Sequence, residues 1–499
     1  MDKFVILHRG ALRAKYGAAA LKKIEAALKR LVRQDKRRGI DTTLAAVDVA
    51  SEMKPYGARP MPAKPDARSL KAVIDALAKA RQPHYFLLLG GPDVLPMVPL
   101  KSPTPSDGDP HVPSDLPYAC ESGYSTDPNR FLGPTRVVGR LPDLPGATRP
   151  DLLLQLLRAA TEHESRQRQD FATSFFGLSA EVWQASTRQS LDNTFGPSNP
   201  LHLSPPDGPS WTKAELAPRM HFINCHGADH DPSYYGQHGE QFPEALSSAA
   251  VKGRVSTGSV IAAECCYGAQ VFDPALVDSG EWPISVRYLA DGAAAFVGST
   301  TIAYGPSVGN GSADLLCQYF LQRVLAGAST GRALLEARQQ FAGARTHLDP
   351  VDLKTLAQFY LLGDPSLQPV TFVGHALTKT KAFKQAFATV QDRGVRGLRR
   401  ERLEREGRNL ARSLPRLKAV DARPAAAVTR AVTPMLRESG LSPADCQLTS
   451  YQVVGAPDLR VVHVYTATLP AADATMRPLS LVATEQGGRL LHVRRMHAR

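Results

Sequence analysis

HYFLLLGG, residues 84–91, sets five consecutive apolar side chains, Tyr85 to Leu89, against two closing glycines. An unbroken apolar run of this length, with no alternation, marks a strand buried on both faces, as parallel sheets require. Working back from it, residues 3–8 form a first strand. Leu21, Ile24, Leu28 and Leu31 then recur at helical spacing among lysines and arginines. KRRG closes that helix, with Gly39 in the stopping position. TTLAAVDVA (42–50) is a second buried strand, and a Pro-rich loop leads to a helix at 68–81. Strand–helix–strand–helix–strand in this order predicts an α/β fold, a mostly parallel sheet between two helical layers.

Working forward, a loop rich in Pro, Asp and Ser covers 92–130 and a helix covers 149–168. MHFINCHG (220–227), SVIAAECC (259–266) and GAAAFVGS (292–299) are strands, and helices at 312–326 and 331–343 lead into QFYLLGDPSL. Near residue 373 the composition shifts. Residues 376–418 are basic and helical, and 426–499 read as a small α+β unit: a helix near 427–438, then YQVVGA, LRVVHVYTATL, LSLVATE and LLHVRRM as strands. The expected divisions are an N-terminal α/β part (1–80), a main unit (81–372), a basic helical linker (373–425) and a small C-terminal α+β domain (426–499).

Of 499 residues, 43% are hydrophobic and 21% charged, which is ordinary for globular chains and leaves room for a large core. The net charge of +13 favours anionic partners but defines no function by itself. Six cysteines without CxxC spacing argue against a disulfide scaffold and for a reducing, cytoplasmic setting. The apolar run Phe4–Leu7 is too short for a secretion signal, and no stretch reaches the roughly 18 apolar residues of a membrane span.

In open α/β sheets, sites gather at the carboxyl ends of strands. Two strands here end in reactive side chains: Asn224-Cys225-His226-Gly227 and Ala263-Glu264-Cys265-Cys266-Tyr267-Gly268. A cysteine hydrolase needs this pairing. An imidazole assists thiolate formation, the thiolate attacks a carbonyl, and fixed N–H groups, here those of Gly227 and Cys266, hold the oxyanion. The competing reading is bland: cysteine is among the most buried residue types, and a histidine at a strand end can be a core residue. Strand alternation lets only one of Cys265 and Cys266 face a cleft.

These motifs resemble the caspase-like cysteine peptidases, the clan of caspases, metacaspases, gingipains, clostripain and separase, and within it the gingipain family is the most similar. HYFLLLGGPDVLP, PSDLPYA, TRVVGRLP, HFINCHGADHD, AAAFVGSTTIAYG and FYLLGDPSL fall in that family's order over about residues 80–370. The resemblance implies a caspase-like three-layer α/β/α fold and an endopeptidase acting on protein substrates, with no cofactor. It gives His226 the role of base, Cys266 that of nucleophile (Cys265 the competitor) and Gly227 that of oxyanion donor. It makes Asp115 and Glu264 substrate-pocket acids, with Tyr304 as a pocket wall or a packing residue. Acids at a pocket floor pair with Arg or Lys, so cleavage after Arg or Lys is expected. The chain departs from gingipains in showing no signal or obvious pro-segment, and 373–499 does not resemble their immunoglobulin-like tail.

Other readings carry less. Cys225, His226, Asp229, His230 and His238 crowd one loop but match no zinc spacing, and Asp229, Asp231 and Asp273 form no calcium-loop motif. Gly298-Ser299-Thr300 lacks GxSxG, and Gly90-Gly91 has no following GK. In the basic run, Glu401, Glu404 and Glu406 intersperse the arginines, favouring a solvated helix face over a nucleic-acid site. The rival from another class is a scaffold with a dead cleft whose basic C-terminal region binds nucleic acid or a protein partner; an acyl transferase using the same dyad is a third. The oligomeric state is not legible.

Overall fold

The structure, a computed structural model, describes residues 1–197, 200–306, 309–371, 381–470 and 476–499. The first strand, Asp2–Leu7, is followed by the helix Arg9–Arg37 and, on one side of it in the sheet, the strand Asp41–Ala46. The helix Ala67–Arg81 then returns the chain to its other side as Tyr85–Leu89. Right-handed crossovers in opposite directions put these two helices on opposite faces, which makes three layers. Each helix start is fixed locally: the His8 ring accepts from Ala11 N–H, and the Asp66 carboxylate from Ser69 N–H. The second strand stops at Ala46, short of the expected residue 50. Asp48 turns back to accept the Arg9 and Gly10 N–H groups, at 2.9 and 2.7 Å, and a short helix begins at Ala50.

Ten strands make one sheet in two parallel halves. One half runs Asp41–Ala46, Asp2–Leu7, Tyr85–Leu89, Val138–Leu141, Tyr360–Leu362. The other runs Ala295–Gly298, Val260–Ala263, Met220–Asn224, Phe176–Ala180, His202–Ser204. They meet antiparallel where Ala295–Gly298 pairs with Tyr360–Leu362. The fold is therefore α/β with a mostly parallel sheet, and the small C-terminal α+β domain is also present. Residues 1–80 form one edge of this continuous sheet, since Tyr85–Leu89 hydrogen-bonds directly to Asp2–Leu7. A buried cation pins this edge: Lys3 Nζ meets Asp35 at 2.9 Å, Asp364 and Ser366, tying the first strand to its helix and to the GDPSL turn.

Further elements differ from expectation. The loop 92–130 contains a hairpin, Val98–Lys101 with His111–Ser114. A helix, Pro350–Gln358, stands where none was predicted, its start capped by Asp349. The basic run is helical over Lys381–Ser413, but its described side chains pack rather than face solvent alone. Arg399 meets Glu336 and Arg408 meets Glu121, each at 2.9 Å, and Leu403 and Leu410 are buried. Gly407 and Gly133 touch so closely that a Cβ on Gly133 would lie 2.0 Å from the Gly407 carbonyl oxygen. Residues 372–380, the start of the expected linker, lie outside the described residues.

The C-terminal sheet begins inside the expected linker, at Arg416–Val420. It continues antiparallel through Gln447–Val454, Arg460–Pro470, Met476–Gln486 and Arg489–Ala498. The helix Ala426–Arg437 covers one face with Val428, Val432 and Leu436 against Tyr465, Leu481 and Ala483. Its last strand then pairs antiparallel with Tyr304–Pro306 of the first unit, Ala498 opposite Tyr304. Among the described residues no helix is long and apolar enough to cross a membrane, and the six cysteines form no disulfide.

Candidate active site

Met220–Asn224 and Val260–Ala263 are adjacent parallel strands, in register at Ile223 and Ala263, and Glu264 N–H still donates to Ile223 O at 2.8 Å. The two chains therefore leave the sheet side by side, and the residues that follow them share one edge. His226 and Gly227 pair with Tyr235 and Tyr234 in a small antiparallel sheet. Gly227 passes so near the second chain that a Cβ there would stand 2.0 Å from Cys266 O, so no larger residue fits. After Cys266 the backbone reverses through Tyr267, at φ 53, with its hydroxyl donating to Asp109 at 2.8 Å. Tyr267 N–H on Thr301 O and Ala269 N–H on Ser299 O, at 2.9 and 2.8 Å, bind the turn to the next strand end.

The two cysteines have different surroundings. Cys265 is fully buried, and burial pushes its thiol well above the ordinary range, reinforced by Cys225. Cys266 is the one at the edge; Ala303 N–H donates to its sulfur at 3.3 Å. The His226 ring packs on Trp183 and Phe242, with centroids 4.3 and 5.2 Å away. Its Nε2 is 2.8 Å from Gln237 Oε1, and Gln237 Nε2 donates to Gly239 O at 3.0 Å, which orients the amide. Nε2 therefore carries the proton, and Nδ1 is the acceptor nitrogen of the ring.

The terminal strand ends here. Arg499 N–H donates to Ala303 O at 3.0 Å, and the Arg499 main-chain oxygen accepts from both Cys266 N–H and Gly227 N–H, at 2.9 and 3.3 Å. Its guanidinium is buried. It stacks 4.4 Å from the Trp183 ring, and Nη2 lies 3.1 Å from Asp314 Oδ1 and 3.4 Å from Pro306 O. Gly305 forms the facing wall, where a Cβ would come within 2.3 Å of the guanidinium carbon. Asp314 is held by Gly311 N–H at 3.1 Å. Burial, together with the Asp314 charge, pushes the Glu264 carboxyl well above its ordinary range, against the opposing pull of Arg499. The pocket thus sets two carboxyl groups, Asp314 and Glu264, around a single guanidinium, and burial is the main push on the second.

The Gly227 and Cys266 N–H groups and the Glu264 carboxyl face this one residue, and His226 shares the Trp183 ring with its guanidinium. Asp115 does not face it. Arg140 takes both its oxygens, at 2.8 and 2.7 Å, in a buried pair that anchors the preceding loop, so the acid expected in the pocket is a structural one. Tyr304 contributes its backbone to the strand pairing, while its hydroxyl turns away to Asp107 at 3.0 Å. Asp314, Trp183, Gly305 and Gln237 were not singled out from sequence. Only Gly305 sits in a motif, as the last glycine of AAAFVGSTTIAYG; the fold brings Trp183 and Gln237 to His226, and Asp314 and Gly305 to the Arg499 side chain. The histidines of the 225–238 loop disperse, His230 to Asp229 and His238 to Glu181, and among the described residues no three His, Cys, Asp or Glu side chains form a metal-holding group.

Compared with known proteins, the chain matches no protein-family profile and no curated relative. It is similar to a solved structure described as "Structure of Protease", at 13% identity over 100% of this chain and 97% of that one, with a TM-score of 0.47.

Proposed function

We propose that the chain is a cysteine endopeptidase that cuts protein substrates after arginine through Cys266 and His226. One observation carries the reading. The N–H groups of Gly227 and Cys266 meet on a single main-chain oxygen, and the residue bearing that oxygen sends an arginine side chain to Asp314. A peptide carbonyl in that position stands where a thiolate from Cys266 reaches it and where its developing negative charge is already solvated by two fixed donors. Lysine is the weaker candidate, since the Trp183 face and the Asp314 carboxylate suit a planar, stacking cation.

The steps follow from the groups present. His226 Nδ1 takes the Cys266 proton, and the thiolate attacks the carbonyl carbon. The oxyanion rests on Gly227 and Cys266 N–H. Collapse breaks the C–N bond, and the imidazolium returns its proton to the leaving amine, leaving a thioester. Water, deprotonated by His226, then attacks the thioester. The C–S bond breaks, the acid is released, and the thiol is restored. The resemblance to caspase-like peptidases supports the same assignment, with the pocket acid moved from Asp115 to Asp314 and Glu264. Labelling with an arginyl chloromethylketone tests it: a single adduct on Cys266, absent in Cys266→Ala and not formed by the aspartyl analogue, is expected. Equal labelling by the aspartyl reagent would overturn the arginine preference.

A further inference from the structure

The cleft just described is already full, and its occupant is part of the same chain. Met496, His497 and Ala498 pair antiparallel with Pro306, Gly305 and Tyr304. Ala303 O accepts the Arg499 N–H, the two oxyanion donors hold the Arg499 main-chain oxygen, and Asp314 and Trp183 hold its side chain. Every contact an extended peptide would make on the amino-terminal side of its scissile bond is thereby made in cis. The reacting groups are covered: Cys266 is 4% exposed and His226 5%.

We propose that Met496–Arg499 is a built-in competitor of substrate that keeps the peptidase latent, so that activity requires the terminal strand to leave the Tyr304–Pro306 edge. This rests on the peptidase reading. Two features separate a held segment from a loose tail. Its root is clamped, Arg494 to Asp349 and Asp352 on the first unit and Arg495 to Glu438 and Ser439 on its own domain. It is also the last strand of a five-stranded sheet built by its own domain, so it is presented already extended and loses little conformational freedom on docking. A tethered segment acts at an effective concentration of about a millimolar, which outcompetes dilute substrate even when its intrinsic affinity is modest. Substrate and tail cannot coexist, because Gly305 leaves room for only one side chain against Asp314. A trans substrate must therefore be a peptide strand with arginine before the scissile bond, adding to the same edge.

The full chain and its Arg499→Ala variant provide the test, read by iodoacetamide alkylation of Cys266 and by hydrolysis of a short arginyl-amide peptide. Arg499→Ala is expected to raise both rates about tenfold or more, on the effective-concentration argument above. Arg499→Lys, which keeps charge and stem, is expected to raise them less and guards against a misfolded first variant; melting curves identify misfolding. The peptide VRRMHAR added in trans should inhibit Arg499→Ala competitively, while the same peptide ending in Ala should not. Cys266-dependent hydrolysis at equal rates in all three chains overturns latency and leaves the peptidase reading standing. Faster alkylation with no hydrolysis of any arginyl peptide supports occupancy and overturns the peptidase reading.

Discussion

Cys265 and Cys266 are adjacent and chemically identical, and only the path of the backbone separates them. Strand alternation required that one face inward, and Cys265, fully buried with its thiol pushed well up, is that one. Cys265→Ala is therefore expected to keep arginyl hydrolysis within about twofold while lowering the melting temperature, as removal of a buried group leaves a cavity. Cys266→Ala is expected to abolish hydrolysis. Asp314→Asn is expected to lower kcat/KM on arginyl substrates about a hundredfold, the usual scale for unpairing a buried charge, with little change on an uncharged ester substrate. The proposed nucleophile and base stand out in the sequence because strand ends carrying His-Gly and Cys-x-Gly are themselves a pattern. Of the proposed pocket acids, Glu264 stands out too, and Asp314 does not. Asp115 sits in a motif yet is consumed by Arg140, whereas Asp314 begins an unremarked helix 48 positions beyond Cys266. Which carboxylate meets a ligand depends on who its neighbours are, and sequence order does not carry that.

Among the elements, the paired strands Met220–Asn224 and Val260–Ala263 set the site, and Gly227 sets their separation. Gly227→Ala must displace Cys266 O and is expected to reduce activity far more than a surface Gly→Ala change. Circular dichroism should show a folded chain with a lower melting point. The same strand carries His221, buried between the Tyr288 hydroxyl and Pro218 O, with burial depressing it to about 4. His163 is likewise held near 4 by burial. Both are neutral in the folded protein at pH values where the unfolded chain begins to protonate. Their stabilisation is complete above pH ~6.5, declines as pH falls, and levels off below about 4, with a total of order 3 kcal/mol per histidine. Melting temperature measured against pH should fall across that window, and His221→Gln should flatten the fall. The apolar strands were readable from their runs alone. Arg416–Val420 was not, because RLKAV alternates inside a charged stretch and becomes a strand only by pairing with Gln447–Val454.

At the level of the whole molecule, two long-range ties decide the shape. Lys3, Asp35 and Asp364 close the first half of the sheet onto the GDPSL turn, and Lys3→Met, by stranding two buried carboxylates, should destabilise the chain by about 3–5 kcal/mol in denaturant titration. The terminal strand makes the other, and no periodicity could have foretold it. LLHVRRM announces a strand but not that its neighbour would be Tyr304–Pro306, about 190 residues earlier. Mapping the cleavage sites on an unfolded protein substrate tests the central assignment most directly, with the Arg499→Ala chain compared against the same chain also carrying Cys266→Ala. New carboxyl termini that are all arginine, and none at all when Cys266 is gone, are the predicted result. Cuts after aspartate or apolar residues, or cuts that survive the loss of Cys266, would contradict it.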